Sequence, residues 1–396
     1  MPSSIKQLLL ALFATLFFGL CGGVIASTFN NYLVEIQNLE ANIRGWLEFP
    51  RELPGFLMLF VTGFLLFYIR ETKMAALAML FSAVGAAGFS LLTLDVKLLV
   101  VFLLIWSLGD HMIFTVEGPI GLQLAREGHE GKRLGQFGGA RNLGTIIGVT
   151  LVFLISKFNG QAYDIFFGIA ALSALIAGVL YLKLEIQRPA KPVSAIIVKK
   201  KYTVFYAISA LFGIRKQIFL VFGGWLLVKV HGVPVSTIAL LYFIASCLGV
   251  VFRPLLGEII DWLGERFILS LDEVILLLVC LTYAFASDLL PKPFDLYLLY
   301  TTYVLDSVLF ALRVARTTYL KKIADSSSDI TPTIAMGISI DHAVAMSLPI
   351  LSGYVWDTCG YRWVFLIAAA IAVAGFFVCL KIDTALKPLH STFGPG

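Results

Sequence analysis

Twelve long apolar runs constrain what this chain can fold into more than any other feature of its sequence. An α-helix needs about 20 apolar residues to cross the hydrocarbon core of a bilayer, and each run is close to that length. A soluble protein of 396 residues would need more surface charge, because only 14% of these residues are charged, against about 25% in an ordinary soluble domain. We therefore predict an all-α membrane protein with twelve transmembrane helices. The runs lie at 6–34, 46–69, 74–94, 98–125, 134–156, 162–182, 203–230, 234–260, 267–286, 294–320, 331–356 and 361–380.

Composition also excludes several other classes of protein. Intrinsic disorder requires low hydrophobicity, whereas 59% of this chain is apolar. The net charge of +5 is small and the cations are spread along the chain, so nucleic acid is not an expected partner. The five cysteines form no CxxC or Cys/His cluster, and we expect neither a metal site nor a cofactor. The first run is longer than the core of a signal peptide and is predicted to be retained as the first spanning helix.

The distribution of Lys and Arg predicts the orientation of the chain in the membrane. With the N-terminus placed inside, the loops on that side hold 17 of these residues and the loops on the other side hold 6. Loops rich in positive charge face the cytoplasm. We therefore expect a multi-pass protein of the cell membrane with both termini in the cytoplasm.

A polar segment near the middle of the chain predicts a division into two halves. Residues 185–202 contain two prolines and four lysines, a composition that is typical of a linker between apolar blocks. The prediction is a six-helix bundle over residues 1–184, a cytoplasmic linker over 185–202, and a second six-helix bundle with a short cytoplasmic tail over 203–396.

The two halves also show a weak internal repeat. Residues 18–20 (Phe-Gly-Leu) match residues 212–214 (Phe-Gly-Ile) at an offset of 194, and Asp110 matches Asp306 at an offset of 196. Such a repeat predicts two pseudo-symmetric bundles related by an axis along the membrane normal. Transporters built in this way bind their solutes near the bilayer midplane, between the halves.

Two motifs carry a resemblance to a known family. Residues 257–266 (GEIIDWLGER) follow the eighth run, and residues 353–365 (GYVWDTCGYRWVF) join the last two runs. Glycine in the first motif permits a tight turn and a close approach of helices. The chain resembles the major facilitator superfamily, which carries a G-x-x-x-D-x-x-G-x-R loop at this place. The resemblance implies a gate on the cytoplasmic side, in which the acid and the base of the motif form a latch that breaks when the halves rock; its residues are Gly257, Asp261, Gly264 and Arg266.

The sequence departs from the family's pattern in three places. The corresponding loop of the first half retains only Gly63 from the motif. The family's arginine in the fourth helix is missing, and that run carries acids instead. The fifth run lacks the Gly-Pro element that is typical of drug/proton antiporters, so a proton-driven drug exporter is the less favoured alternative among transporters.

Ionisable residues inside the apolar runs are the candidate site. An ionised side chain at the centre of a spanning helix costs about 2.5–3.5 kcal/mol on insertion scales and usually faces a partner or a water-filled cavity. In the family that the chain resembles, the first, fourth, seventh and tenth helices line the central cavity, and four of the charged clusters lie on or beside them. The candidates for solute binding or proton coupling are Asp110, His111, Glu117, Arg141, Arg215, Lys216, Asp306, Arg313, Asp341 and His342.

Two pairs in the first half have both a functional and a structural interpretation. Asp110 and His111 are favoured as a proton-coupling site, because an unperturbed His titrates near pH 6.5 and a neighbouring acid shifts that value. Their alternative role is a packed, hydrogen-bonded pair. Glu117 either belongs to the site or neutralises Arg141 on the adjacent helix.

The second half leaves similar alternatives open. Arg215 and Lys216 are sequence neighbours and point about 100° apart on a helix, so that one is expected to face the solute while the other pairs within the bundle. Arg313 is either part of the site or paired with Asp306.

Three further groups of charges have less defined roles. Asp341 and His342 are either part of the site or structural. Glu48, Arg51 and Glu52 are predicted to form an external gate, unless their helix begins later than the run suggests. Asp272 and Glu273 lie close to the motif arginine and are assigned to the latch.

These observations predict a secondary active transporter. It would move a small polar or charged solute by alternating access, with a proton as the coupling ion, and we expect it to act as a monomer. A non-transporting receptor or scaffold on the same fold is the alternative from another class. No HExxH, GxSxG or GxxxxGK[ST] sequence occurs, so neither an enzyme nor an ATP-driven pump is expected.

Overall fold

The computed structural model describes residues 5–91, 93, 95–126, 129–186 and 199–383. Most of the predicted linker and of the predicted tail lies outside these residues. The N-terminal half consists of α1 (Ile5–Glu35), the short α2 (Ala41–Trp46), α3 (Glu48–Tyr68), α4 (Glu71–Phe89), α5 (Val96–Gln123), α6 (Glu130–Asn159) and α7 (Tyr163–Leu182).

The C-terminal half has the same order of spans but more interruptions. After a 3₁₀ turn at Lys200–Tyr202, α8 (Thr203–Gln217) continues as two π-helical stretches, Ile218–Gly223 and Leu226–Val230. A 3₁₀ turn at Phe310–Leu312 likewise joins α11 and α12 into one span. The remaining helices are α9 (Val235–Leu263), α10 (Glu265–Leu289), α11 (Phe294–Leu309), α12 (Arg313–Ile323), α13 (Ser327–Cys359) and α14 (Tyr361–Cys379).

The described helices confirm the prediction of an all-α membrane protein of about twelve spans. Eleven spans among the described residues are long and apolar enough to cross a membrane. The second predicted run is occupied by α3, which begins at Glu48 and therefore carries Arg51 and Glu52 in its first turns.

Glycines with positive φ end three of the long helices. Gly160, Gly264 and Gly360 have φ values of 66°, 79° and 92° and separate α6 from α7, α9 from α10 and α13 from α14. This backbone conformation favours glycine because it places a Cβ too close to the main chain. Gly160 and Gly360 occupy equivalent places in the two halves, and Gly264 makes the tight turn predicted from the motif.

The apolar cores show where the two halves are joined. At the end of the bundle opposite the chain termini, one cluster of buried side chains runs through both halves and includes Tyr32, Trp225 and Phe365. At the end that holds the termini, one cluster around Tyr181 belongs to the N-terminal half and another around Tyr202 belongs to the C-terminal half. Within the described part of the chain, the halves therefore share a core at one end only, which we call the closed end; the other is the terminal end.

Polar contacts reinforce the junction at the closed end. Lys229 donates to the Leu39 carbonyl at 3.0 Å and lies 3.1 Å from the Glu40 carboxylate. The Asn31 side-chain amide donates to the Val233 carbonyl at 3.0 Å. Nearby, α2 packs on α13, while α3 with α13 and α6 with α9 form the two long sides of the interface between the halves.

The last linker residues are tied to the C-terminal half. Lys199 Nζ lies 3.1 Å from the Asp325 carboxylate and 2.5 Å from that of Asp329, and the Tyr202 hydroxyl donates to Asp329 at 2.6 Å. Hydrogen bonds from Lys201 and Lys199 lower the pKa of the Asp325 carboxyl. These contacts join residues that precede α8 to Asp325, which follows α12, and to Asp329 in the first turn of α13.

Close packing of α6 on α1 predicts a large effect from a single methyl group. A Cβ on Gly144 would overlap the carbonyl oxygen of Leu16, whereas a Cβ on Gly139 would have no neighbour within 4 Å. We expect Gly144→Ala to lower the free energy of unfolding by about 1–3 kcal/mol, the usual cost of overpacking. Gly139→Ala should be neutral or stabilising, since it removes only backbone freedom. Thermal unfolding of the purified protein in detergent measures both, and equal melting temperatures for the two variants would contradict this packing.

Candidate functional site

A cavity of about 280 Å³ lies between the two halves, mainly against the N-terminal one. The aromatic residues that line it are Phe18, Phe29, Trp106, Phe114 and Tyr242. The polar residues that line it are Asn30, Arg44, Arg51, Asp110, Arg141 and Thr145.

A second cavity of about 190 Å³ lies against the C-terminal half. Leu220 and Tyr242 line both cavities, which therefore adjoin. The polar residues of the second cavity include Arg215, Lys216 and Asp306. Candidate residues from both halves therefore line two adjoining spaces at the middle of the molecule.

Asp110 is the carboxylate that faces the larger cavity. Its side chain is half-buried, and no described residue forms an ion pair or a hydrogen bond with it. Arg51 and Arg141 line the same cavity without pairing with it. A carboxylate placed in this way is available to a proton or to a donor group of a solute.

Glu117 and Arg141 form an ion pair within the N-terminal half, between α5 and α6. Glu117 is buried, whereas the Arg141 side chain keeps 33% of its surface exposed and lines the larger cavity. The Arg141 guanidinium also lies over the rings of Phe18 and Phe114, 5.3 and 4.8 Å from their centroids, a favourable cation–π geometry. The structure thus combines the two interpretations of this pair, because Arg141 both neutralises Glu117 and borders the cavity.

Arg215 is held by two carboxylates within the C-terminal half. It pairs with Asp272 of α10, and its Nη2 lies 3.0 Å from Asp306 Oδ1 of α11. The assignment of Asp272 to the latch is therefore wrong, since its side chain points into this buried triad. Arg313, considered as a partner of Asp306, lies over the Phe310 ring at 5.6 Å.

Glu52 joins the two halves electrostatically. Its Oε2 lies 3.4 Å from Lys216 Nζ and 2.7 Å from His342 Nδ1, both in the C-terminal half. Lys216 Nζ also lies 3.0 Å from Asp341, and Arg51 Nη2 lies 3.1 Å from Glu52 Oε1. Arg215 pairs within its own half while Lys216 reaches the interface, as their angular separation on the helix requires. Arg51 and Glu52, predicted to belong to an external gate, are thus part of a cluster between the halves.

His111 and His342 meet across the same interface. Their ring centroids are 5.0 Å apart at an interplanar angle of 70°. His111 Nδ1 lies 2.9 Å from the Ser107 carbonyl oxygen, an acceptor, so Nδ1 carries the proton and Nε2 keeps its lone pair. Gly55 provides the room for both rings, because a Cβ there would lie within 2.6 Å of each. His111 and Asp110 are therefore sequence neighbours whose side chains lie in different places. His111 lies at the interface between the halves, and Asp110 lines the larger cavity.

Arg44 is the charged residue of this region that the sequence interpretation missed. Arg44 falls in an outer loop of the sequence-based topology, yet it is buried, and it lies 2.5 Å from Glu48 and 3.0 Å from the Asn30 amide oxygen. Glu48 also accepts from Arg51 at 2.7 Å. Arg44, Glu48 and Arg51 are spaced by four and three residues, which is typical of ion pairs on one helical face. This spacing could have revealed both ion pairs from the sequence.

The predicted latch is not formed in this conformation. Asp261 is exposed, and among the residues that the structure describes neither Asp261 nor Arg266 takes part in an ion pair. The neighbouring Glu265 pairs instead with Lys322 of α12 at 2.7 Å. Gly257, expected at a close approach of helices, has open space where its Cβ would be.

Comparison with known proteins supplies the family. The family model of the Major Facilitator Superfamily matches residues 11–319. The chain belongs to the Major Facilitator Superfamily. No curated protein matches it in sequence.

Solved structures of transporters share its fold. A mutant of the nucleoside transporter NupG has a TM-score of 0.77 at 18% identity, covering 96% of this chain and 100% of that one. The D-xylose-proton symporter gives 0.71 at 16% identity, with 97% and 99% covered. A bacterial homolog of the human lysosomal transporter Spinster, in an inward-facing and occupied conformation, gives 0.72 at 15% identity, with 97% and 98% covered.

The buried triad predicts a specific pattern of stability changes. Arg215→Met would leave Asp272 and Asp306 buried without their counter-charge, and breaking such a group costs about 3–5 kcal/mol. Adding Asp272→Asn and Asp306→Asn should restore part of that loss. The matched control is Arg362→Met, which breaks an exposed pair with Asp288 and should cost less than about 1 kcal/mol. Thermal unfolding in detergent measures each change, and an Arg215→Met variant as stable as the control would contradict the triad.

Proposed function

We propose that this protein is a proton-coupled secondary transporter, which carries a small polar or charged solute by alternating access between its two halves. The observation that carries the proposal is the adjoining pair of cavities at the interface, with the Asp110 carboxylate directed into the larger one. Membership of the Major Facilitator Superfamily supports a secondary transporter.

Alternating access is supported by the different packing of the two ends. Both halves contribute to one core at the closed end and have separate described cores at the terminal end. At the terminal end of α6, the glycines 131, 135, 138 and 139 have no neighbour within 4 Å of a Cβ, and the same holds for Gly257 of α9. These open glycine surfaces leave room for α6 and α9 to approach each other when the opposite end opens.

Proton coupling is supported by the setting of Asp110. Its carboxylate shares the cavity with Arg51 and Arg141, both of which already have acidic partners. Binding a proton would therefore change the charge of the cavity wall by one without breaking an ion pair. The charge that a solute meets would depend on the protonation of this one group.

The cavity also limits the class of solute. A volume of about 280 Å³ lies near the lower end of the range for small-molecule sites, about 300–1,000 Å³. Aromatic rings and hydrogen-bonding groups both line the cavity, which suits a compact solute with both polar groups and an apolar face. The similar structures include a nucleoside transporter and a D-xylose-proton symporter, and solutes of that size are the first to test.

The expected location is the cell membrane, with the terminal end in the cytoplasm. The support is the excess of Lys and Arg in the loops of that end. With this orientation the structure corresponds to an inward-facing carrier. We propose that it acts as a monomer and does not bind nucleic acid.

The coupling proposal is tested by uptake into proteoliposomes. A panel of labelled nucleosides, pentoses and dipeptides is offered with and without an inward pH gradient. We expect at least one to be accumulated only with the gradient. Asp110→Asn should abolish accumulation while leaving exchange of labelled for unlabelled solute, because the amide cannot carry the proton. Asp164→Asn, which changes an exposed carboxylate in the first turn of α7, is the matched control.

Two results would count against this proposal. Accumulation that is independent of the gradient would remove proton coupling. Neither uptake nor exchange with any member of the panel, in a protein that binds one of them, would favour the receptor interpretation instead.

The orientation is tested with a native cysteine. Cys359 is exposed at the end of α13 on the closed end, whereas Cys21, Cys280 and Cys379 are buried. A membrane-impermeant maleimide should label the protein in intact cells, and Cys359→Ser should abolish most of that labelling. Labelling that appears only after permeabilisation would place the closed end in the cytoplasm.

A further inference from the structure

We propose that Glu52, His111 and His342 form a binding site for a divalent transition-metal ion such as Zn²⁺, and that the bound ion links the two halves. Glu52 of α3 and His111 of α5 belong to the N-terminal half, whereas His342 belongs to α13 of the C-terminal half. An ion held by all three side chains would therefore take its ligands from both sides of the interface.

The three side chains offer a suitable set of donor atoms at a suitable spacing. One donor atom from each lies within 4.8 Å of the other two. Two imidazoles and one carboxylate suit Zn²⁺ and its neighbours in the first transition row. Ligands around a tetrahedral Zn²⁺ at 2.0–2.1 Å are separated by about 3.3 Å. Side-chain rotations that bring the donor atoms closer by up to about 1.5 Å would therefore complete the geometry and leave a fourth position for water.

The surroundings of His111 fix the tautomer that a metal requires. Its Nδ1 faces the Ser107 carbonyl oxygen at 2.9 Å, which leaves Nε2 with its lone pair. Histidines that bind metals commonly donate their other ring N–H to such a carbonyl. Nε2 lies on the side of Gly55, the residue that also makes room for the ring of His342.

Two cations lie close to Glu52 and compete with a metal ion. Lys216 Nζ is 3.4 Å and Arg51 Nη2 is 3.1 Å from its carboxylate oxygens. Each has a second acidic partner, Asp341 at 3.0 Å for Lys216 and Glu48 at 2.7 Å for Arg51. Glu52 can therefore turn to a metal ion without leaving either cation unpaired.

A metal ion bound here would oppose the movement of the halves. Rocking must separate α3 and α5 from α13, and an ion held by ligands on both sides has to lose one of them first. This consequence rests on the proposed function, whereas metal binding itself does not. We expect Zn²⁺ to inhibit transport by holding the protein with its closed end shut.

Metal binding is tested on purified protein without a polyhistidine tag. Titration calorimetry with Zn²⁺ and visible absorption with Co²⁺ should show one ion per chain in a four-coordinate site. His111→Gln and His342→Gln should each weaken Zn²⁺ binding about 100-fold or more, since even loss of an outer-shell partner costs 10–100-fold. The matched control is His231→Gln, at the closed end after the Leu226–Val230 stretch, which should leave the affinity unchanged. Lys216→Met should raise it, because a competing cation is lost.

The outcomes separate this proposal from the proposed function. Absence of a bound ion in the wild-type protein, or an affinity that both His111→Gln and His342→Gln leave unchanged, would overturn the metal site, and the wild-type Co²⁺ spectrum decides the matter if a variant fails to fold. Zn²⁺ that binds but slows uptake equally in wild type and in His342→Gln would overturn its bridging role. Failure to transport any solute would refute the proposed function and leave the binding result intact.

Discussion

Ionised side chains buried among apolar helices need a counter-charge, and this requirement organises the centre of the molecule. Glu117 pairs with Arg141 inside the N-terminal half, and Arg215 pairs with Asp272 inside the C-terminal half. Removing one member of such a pair is costly because a charge is left in a medium that cannot solvate it. The pairs therefore act as fixed parts of each half.

The exceptions to internal pairing are the groups on which the two proposals rest. Glu52 takes its partners from both halves, and Asp110 has none among the described residues. The sequence left open, for most of the charged residues, whether they pair within a half or face a cavity. The structure divides them into internal pairs, a bridging cluster and the wall of a cavity. The groups overlap, because Arg141, Arg215 and Asp306 are paired internally and also line a cavity.

The fold was largely accessible from the sequence, whereas the partners of the charged residues were not. Apolar length predicts a spanning helix and a glycine such as Gly264 predicts its end, because both depend on local chemistry. The partnership of Arg215 with Asp272 depends on how two helices are rotated against each other, which hydrophobicity does not specify when a helix is apolar on every side. The sequence-based topology placed Arg44 in an outer loop, whereas it lies in the short α2 and is buried. The acid that pairs near the motif is Glu265 rather than Asp261, a distinction that only packing makes.

The two π-helical stretches after α8 have a consequence for the closed end. A π-bulge holds one residue more than the α-helical turn it replaces, and each added residue rotates the remainder of the span by about 100°. Lys229 lies beyond the first stretch and within the second. A regular α-helix from Thr203 onward would direct this side chain away from Glu40, to which it is bound at 3.1 Å. The register of the helix backbone, and not the lysine alone, thus determines whether this ion pair between the halves can form.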